Sequence, residues 1–229
     1  MKLFEIFNQI DPQETEDVIT KSFKDTVISD TLAKKSLEGS TSATQIINKL
    51  KKQFPSIIKQ AQFTVNPNID RIRITFNKDG SGSNIQVPEV LHPELGEILL
   101  LHELAHLLYT KDLLTNMILK YRDAPQAFTV LRVIEDVSIE RKLEANFPKS
   151  AAVFKKRAPH AISAYSSYTP SKFASKMDQL FLFLRGYTNR PYSGSTKALS
   201  AAERYLSSND PQEKIHAVLT ITQELMANS

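Results

Sequence analysis

Residues 102–106 read His-Glu-Leu-Ala-His, inside the run Ile98-Leu99-Leu100-Leu101-His102-Glu103-Leu104-Ala105-His106-Leu107-Leu108. On a helix, positions i and i+4 share one face, so the two imidazoles can converge on a single ion. Zinc accepts neutral imidazole nitrogen at about 2.0–2.1 Å, and a catalytic zinc site takes three protein ligands plus a water. Glu103 stands next to the first histidine, where its carboxylate can reach that water and remove a proton. The competing reading is two core histidines that happen to flank a glutamate. Two titratable rings and a carboxylate among six leucines are costly to bury without a compensating partner, and a metal is such a partner.

Two histidines do not complete a site. A third histidine at the His-x-x-Gly-x-x-His spacing is absent, because Thr110 to Thr115 contains neither glycine nor histidine. The stretch Leu131-Arg132-Val133-Ile134-Glu135-Asp136-Val137-Ser138-Ile139-Glu140-Arg141-Lys142 is the better source of a ligand. Apolar residues fall on all sides of this expected helix, so it should be well buried, and acids within it need partners. Glu135, with Leu131, Ser138 and Ile139 around it, is favoured on burial. Asp136 neighbours Arg132 and Glu140, could be ion-paired, and is the alternative.

Several elements must position these residues. The first 60 residues read as helices: Asp11-Pro12-Gln13-Glu14 is a helix start, and Ser42 to Phe54 is amphipathic through Ile46, Ile47 and Leu50 until Pro55 ends it. Phe63-Thr64-Val65 and Arg71 to Phe76 alternate as half-buried strands. Asn77 to Ser83 is a turn, and Asn84 to Pro88 is a returning strand that ends at Pro88 or runs along an edge. A helix from about Pro93 to Thr110 carries the histidines, with His92 contributing to its start. A further helix runs from about Gln126 to Asn146 and is closed by Pro148. Ser171 to Arg185 is a core-facing helix, Gly186 to Thr196 a loop, and Asp210-Pro211-Gln212-Glu213 a second helix start of the Asp11 kind. These elements imply a mostly helical α+β fold, with a small antiparallel sheet packed on the His-Glu helix and helices on either side. The expected segments are 1–60, 61–147 and 148–229, joined in one compact unit.

The composition narrows the class. The chain of 229 residues has no cysteine, which excludes disulfides and cysteine-ligated zinc and fits a reducing compartment. Neither a signal-peptide pattern nor an apolar run of about 18 residues is present, so a cytoplasmic protein with no membrane partner is expected. The formal charge of +4 comes from scattered lysines rather than a basic stripe, so nucleic acid is not the expected partner.

Strands followed by the His-Glu-Leu-Ala-His-Leu-Leu-Tyr-Thr helix (102–110), and then Ile134-Glu135-Asp136-Val137-Ser138-Ile139-Glu140, resemble the gluzincin branch of the zinc metallopeptidases. The pairing is similar to bacterial and phage metallopeptidase-like proteins often joined to von Willebrand A-like domains, as in the cobaltochelatase group. The likeness covers roughly residues 60–147. It implies a zincin-like core and a zinc-dependent peptidase, with His102, His106 and Glu135 (alternatively Asp136) as ligands and Glu103 as the base. It also implies a protein or peptide substrate, a von Willebrand A-like partner protein, and the cytoplasm of a bacterium or phage-infected cell. Where gluzincins carry an aspartate four residues after the glutamate ligand, this chain has Ile139, so Asp136 or Glu140 would have to orient a ligand instead. His160 and Tyr165 are candidates to stabilise an oxyanion, set against their reading as a surface histidine and a loop tyrosine. Tyr109 is expected in the core or at the rim, and His216 has no expected role. The strand Asn84 to Val87 would pair with an extended substrate. The rival function is a zinc-binding fold that has lost catalysis and acts as a protein-interaction or regulatory module.

Overall fold

The alternation of Asn84, Ile85, Gln86 and Val87 puts two apolar residues on one face, and Ile85 and Val87 are fully buried. The computed structural model describes residues 41–70, 72–76, 83–110, 125–159 and 172–227. The helix start at Asp11, most of the turn at 77–83, His160 and Tyr165 lie outside them.

Strands β2 (Gln62–Val65), β3 (Arg73–Phe76) and β4 (Ser83–Val87) form a sheet in the order β2-β4-β3. The β3–β4 pair is antiparallel, with Ile74 opposite Ile85. β2 runs parallel to β4, placing Phe63 opposite Ile85 and Val65 opposite Val87. The sheet is therefore mixed rather than antiparallel, and β4 ends at Val87, just before Pro88, as the central strand rather than an edge. With both sides of β4 already paired, Asn84 to Val87 cannot pair with an extended substrate. Alternation specifies which face a residue occupies, but not which strand lies beside it or in which direction. A second, smaller ladder joins β1 (Thr41–Ser42) to β5 (Val90–Leu91) antiparallel.

Helix α1 (Ala43–Gln53) buries Ile46, Ile47 and Leu50 as its amphipathic pattern requires. Pro55 ends it and also opens the short α2 (Pro55–Ile58), where its missing N–H costs nothing. Helix α3 (Leu95–Tyr109) carries the histidines. His92 starts it: its Nδ1 accepts from the N–H groups of Glu94 at 3.3 Å and Leu95 at 3.2 Å. A Cβ on Gly96 would lie 2.7 Å from Leu91 Cβ and 2.8 Å from Ile46 Cδ1, so only glycine allows α3 to approach β5 and α1 this closely. The next residue, buried Glu97, pairs with Lys49 of α1. These contacts fix the first turn of the helix from two directions.

Contacts divide the chain into two compact units, Met1–Leu107 and Leu108–Ser229, and the division falls in the last turn of α3. The second unit is helical among its described residues: α4 (Pro125–Asn146), α5 (Lys149–Lys155), α6 (Lys172–Leu184), α7 (Thr196–Ser207) and α8 (Pro211–Ala227). Helices α7 and α8 pack on each other and on α4, and α6 packs on both α4 and α8. Gly186, with φ at +66°, closes α6. Ser195 caps α7 by accepting from Ala198 N–H at 3.2 Å. Asp210 Oδ1 accepts from Gln212 N–H at 2.8 Å to start α8. Glu213 does not reach back to Asp210. The Ser208 hydroxyl accepts the Asp210 N–H at 3.0 Å and donates to Glu213. Among the described residues, no helix is long and apolar enough to cross a membrane.

Candidate metal centre

One helical turn brings the two imidazoles together. His102 Nε2 and His106 Nε2 are 3.1 Å apart, and the rings meet edge-on at 90° with centroids 4.7 Å apart. Two nitrogens bound to a tetrahedral zinc at about 2.05 Å lie about 3.3 Å from each other. The pair is thus spaced for one ion. Both rings are buried, at 6% and 5% exposure, beside the fully buried Leu100, Leu101, Leu104 and Ala105. Such surroundings exclude water and strengthen any charge interaction within them. Glu103 is half-buried, so its carboxylate keeps a route to solvent.

Two imidazoles offer two of the three protein ligands that a hydrolytic metal site needs. The acids between which the sequence left a choice, Glu135 and Asp136, both lie on α4 in the second unit.

Glu135 is as buried as its apolar neighbours imply, at 0% exposure, and has other partners. The Tyr205 hydroxyl donates to its Oε2 at 2.7 Å, and Lys214 Nζ lies 3.8 Å from the same oxygen and 4.5 Å over the Tyr205 ring. Burial pushes the Tyr205 hydroxyl well above its ordinary value, and the Glu135 charge pushes it the same way. Burial lowers the Lys214 ammonium, against the pull of Glu135.

Asp136 stands on a different face of α4, with Glu140 one turn away. Arg185 Nη2 is 3.9 Å from Asp136 Oδ2, while Arg185 Nη1 pairs closely with Glu140 Oε2. Arg157 Nη1 donates to the other oxygen of Glu140 at 2.8 Å. Burial works against the charge of Arg185, but Glu140, Tyr187 and Asp136 outweigh it and raise the guanidinium above its ordinary value. The expected ion pairing of Asp136 is present, with Arg185 as a partner. Sequence reading missed Arg157, Arg185, Tyr205 and Lys214. They are scattered over residues 157–214, and no local spacing links them to α4.

Other expectations are simpler. Tyr109 is half-buried, and its hydroxyl accepts from Asn146 Nδ2 at 3.0 Å, a rim position rather than a catalytic one. His216 is exposed on α8. His160 and Tyr165 lie outside the described residues. Comparison of the chain with protein-family models, curated proteins and solved structures gives no match.

Proposed function

We propose that this chain is a zinc-dependent metallopeptidase in which His102, His106 and an acid of α4 hold the ion, Asp136 in preference to Glu135 because Tyr205 and Lys214 engage Glu135, and in which Glu103 is the general base. The observation that carries the reading is the 3.1 Å approach of two buried imidazole nitrogens one helical turn apart, with a half-buried glutamate next to the first histidine. A zinc ion held by these residues supplies Lewis acidity toward the scissile carbonyl and makes a bound water more acidic. Glu103 takes a proton from the attacking water as its oxygen bonds to the carbonyl carbon. The same carboxyl then gives that proton to the leaving nitrogen as the C–N bond breaks, so no net proton is left on the protein. The apolar shell of Leu100, Leu101 and Leu104 keeps bulk water away from the ligands, and the fixed first turn of α3 holds the histidines in register. The substrate class that follows is a protein or peptide.

Elemental analysis of protein purified without added metal should find about one zinc per chain. A metal-free protein indifferent to chelators would overturn the proposal. Glu103→Gln keeps the shape of the side chain and removes its proton affinity. It should retain zinc while lowering turnover of any peptide cleaved by the wild type by about 10²–10⁴-fold. Equal rates would exclude Glu103 as the base, and a zinc-replete wild type inert toward a broad peptide library would favour a non-catalytic zinc-binding module.

A further inference from the structure

Helix α4 presents Asp136 and Glu140 one turn apart, and one guanidinium reaches both. We infer that Arg185 is a positioning residue that fixes the Asp136 carboxylate for metal binding, an inference that rests on Asp136 being the third ligand. Arg185 is itself buried. Its side chain is 3% exposed, and its Cζ lies 4.3 Å over the ring of Phe181, one turn earlier in the chain. Its tight partner Glu140 is gripped from the other side by Arg157. The pairs run in the order Arg157–Glu140–Arg185–Asp136, and Arg185 is the member that pairs with Asp136 directly.

The contact to Asp136 is the loosest of these, at 3.9 Å, and Asp136 is the most open of the four side chains, at 16% exposure. That combination suits a ligand. A carboxylate has about four lone-pair directions and can face an arginine and an ion together. A planar fork can span two carboxylates that a point-charge ammonium cannot. Side chains that orient a metal ligand typically contribute about 10–100-fold in metal affinity.

The test is competition for zinc against a chromophoric chelator, using the full chain and working below the melting temperature of every metal-free variant. Arg185→Gln should bind zinc about 10–100-fold more weakly than the wild type. Arg185→Lys should fall between them. Arg157→Gln, which disturbs Glu140 but not the Asp136 contact, should change affinity far less. If Arg185→Gln does not fold, Arg185→Lys decides, because its ammonium cannot hold both carboxylates and its affinity should still drop. Unchanged zinc affinity in a folded Arg185 variant, or an equal loss in Arg157→Gln, overturns the positioning role alone. A wild type with no zinc affinity overturns the metal reading and this inference with it.

Discussion

Helices α3 and α4 are both apolar on most sides and both bury titratable groups, yet the histidines of α3 meet within their own helix whereas the acids of α4 meet groups from far along the chain. In α3, His102 and His106 meet each other, and one helical turn is enough to bring their Nε2 atoms to 3.1 Å. In α4, Glu135, Asp136 and Glu140 meet cations from distant helices, namely Lys214, Arg185 and Arg157. Adjacent residues on a helix point about 100° apart. Glu135 and Asp136 therefore face different neighbours, and the neighbours decide what each acid does. The contact between two histidines one turn apart is set by local spacing. An acid among apolar residues takes its role from whatever the fold packs against it.

The largest effect that tests this contrast is on stability. Glu135→Ala would leave the Lys214 ammonium buried without its carboxylate and the Tyr205 hydroxyl without its acceptor. It should cost about 3–5 kcal/mol in denaturant unfolding while leaving zinc stoichiometry unchanged. Asp136→Ala should do the reverse, abolishing stoichiometric zinc and leaving the metal-free protein near wild-type stability. If Glu135→Ala removes the zinc and Asp136→Ala does not, the roles assigned to the two acids are exchanged.

A smaller effect is expected in α3. His106→Ala should melt at the same temperature with or without chelator. At free zinc about 100 times its Kd, the stabilisation it forgoes is about 2.7 kcal/mol. A variant that still gains stability from zinc would show that the ion binds elsewhere.

The smallest effect concerns Asp178 on α6, a third way of holding an acid. Burial alone pushes its carboxyl from the ordinary 3.8 up to about 7. The folded state thus binds a proton more tightly than the unfolded one. The associated stability is full below about pH 4 and is lost as pH rises toward 7. Asp178→Asn should therefore gain on the wild type over that window in thermal melts at stepped pH. A constant difference would mean that Asp178 titrates normally.

The sequence by itself determined the elements whose signals are local. The amphipathic α1, the helix start at Asp210, the cap at His92, the antiparallel β3–β4 hairpin and the histidine pair all follow from residues within a turn or two of each other. It also determined that Glu135 is buried, because Leu131, Ile134 and Ile139 surround it on its own helix. Only the tertiary structure decided what burial meant. The parallel β2–β4 pairing depends on strand order, which alternation does not encode. The partners of Glu135 and Asp136 include Tyr205, Lys214 and Arg185, which lie between 49 and 79 positions away in the chain. Helix periodicity is a short-range rule, whereas the partner of a buried charge is set by whichever distant segment fills the neighbouring space.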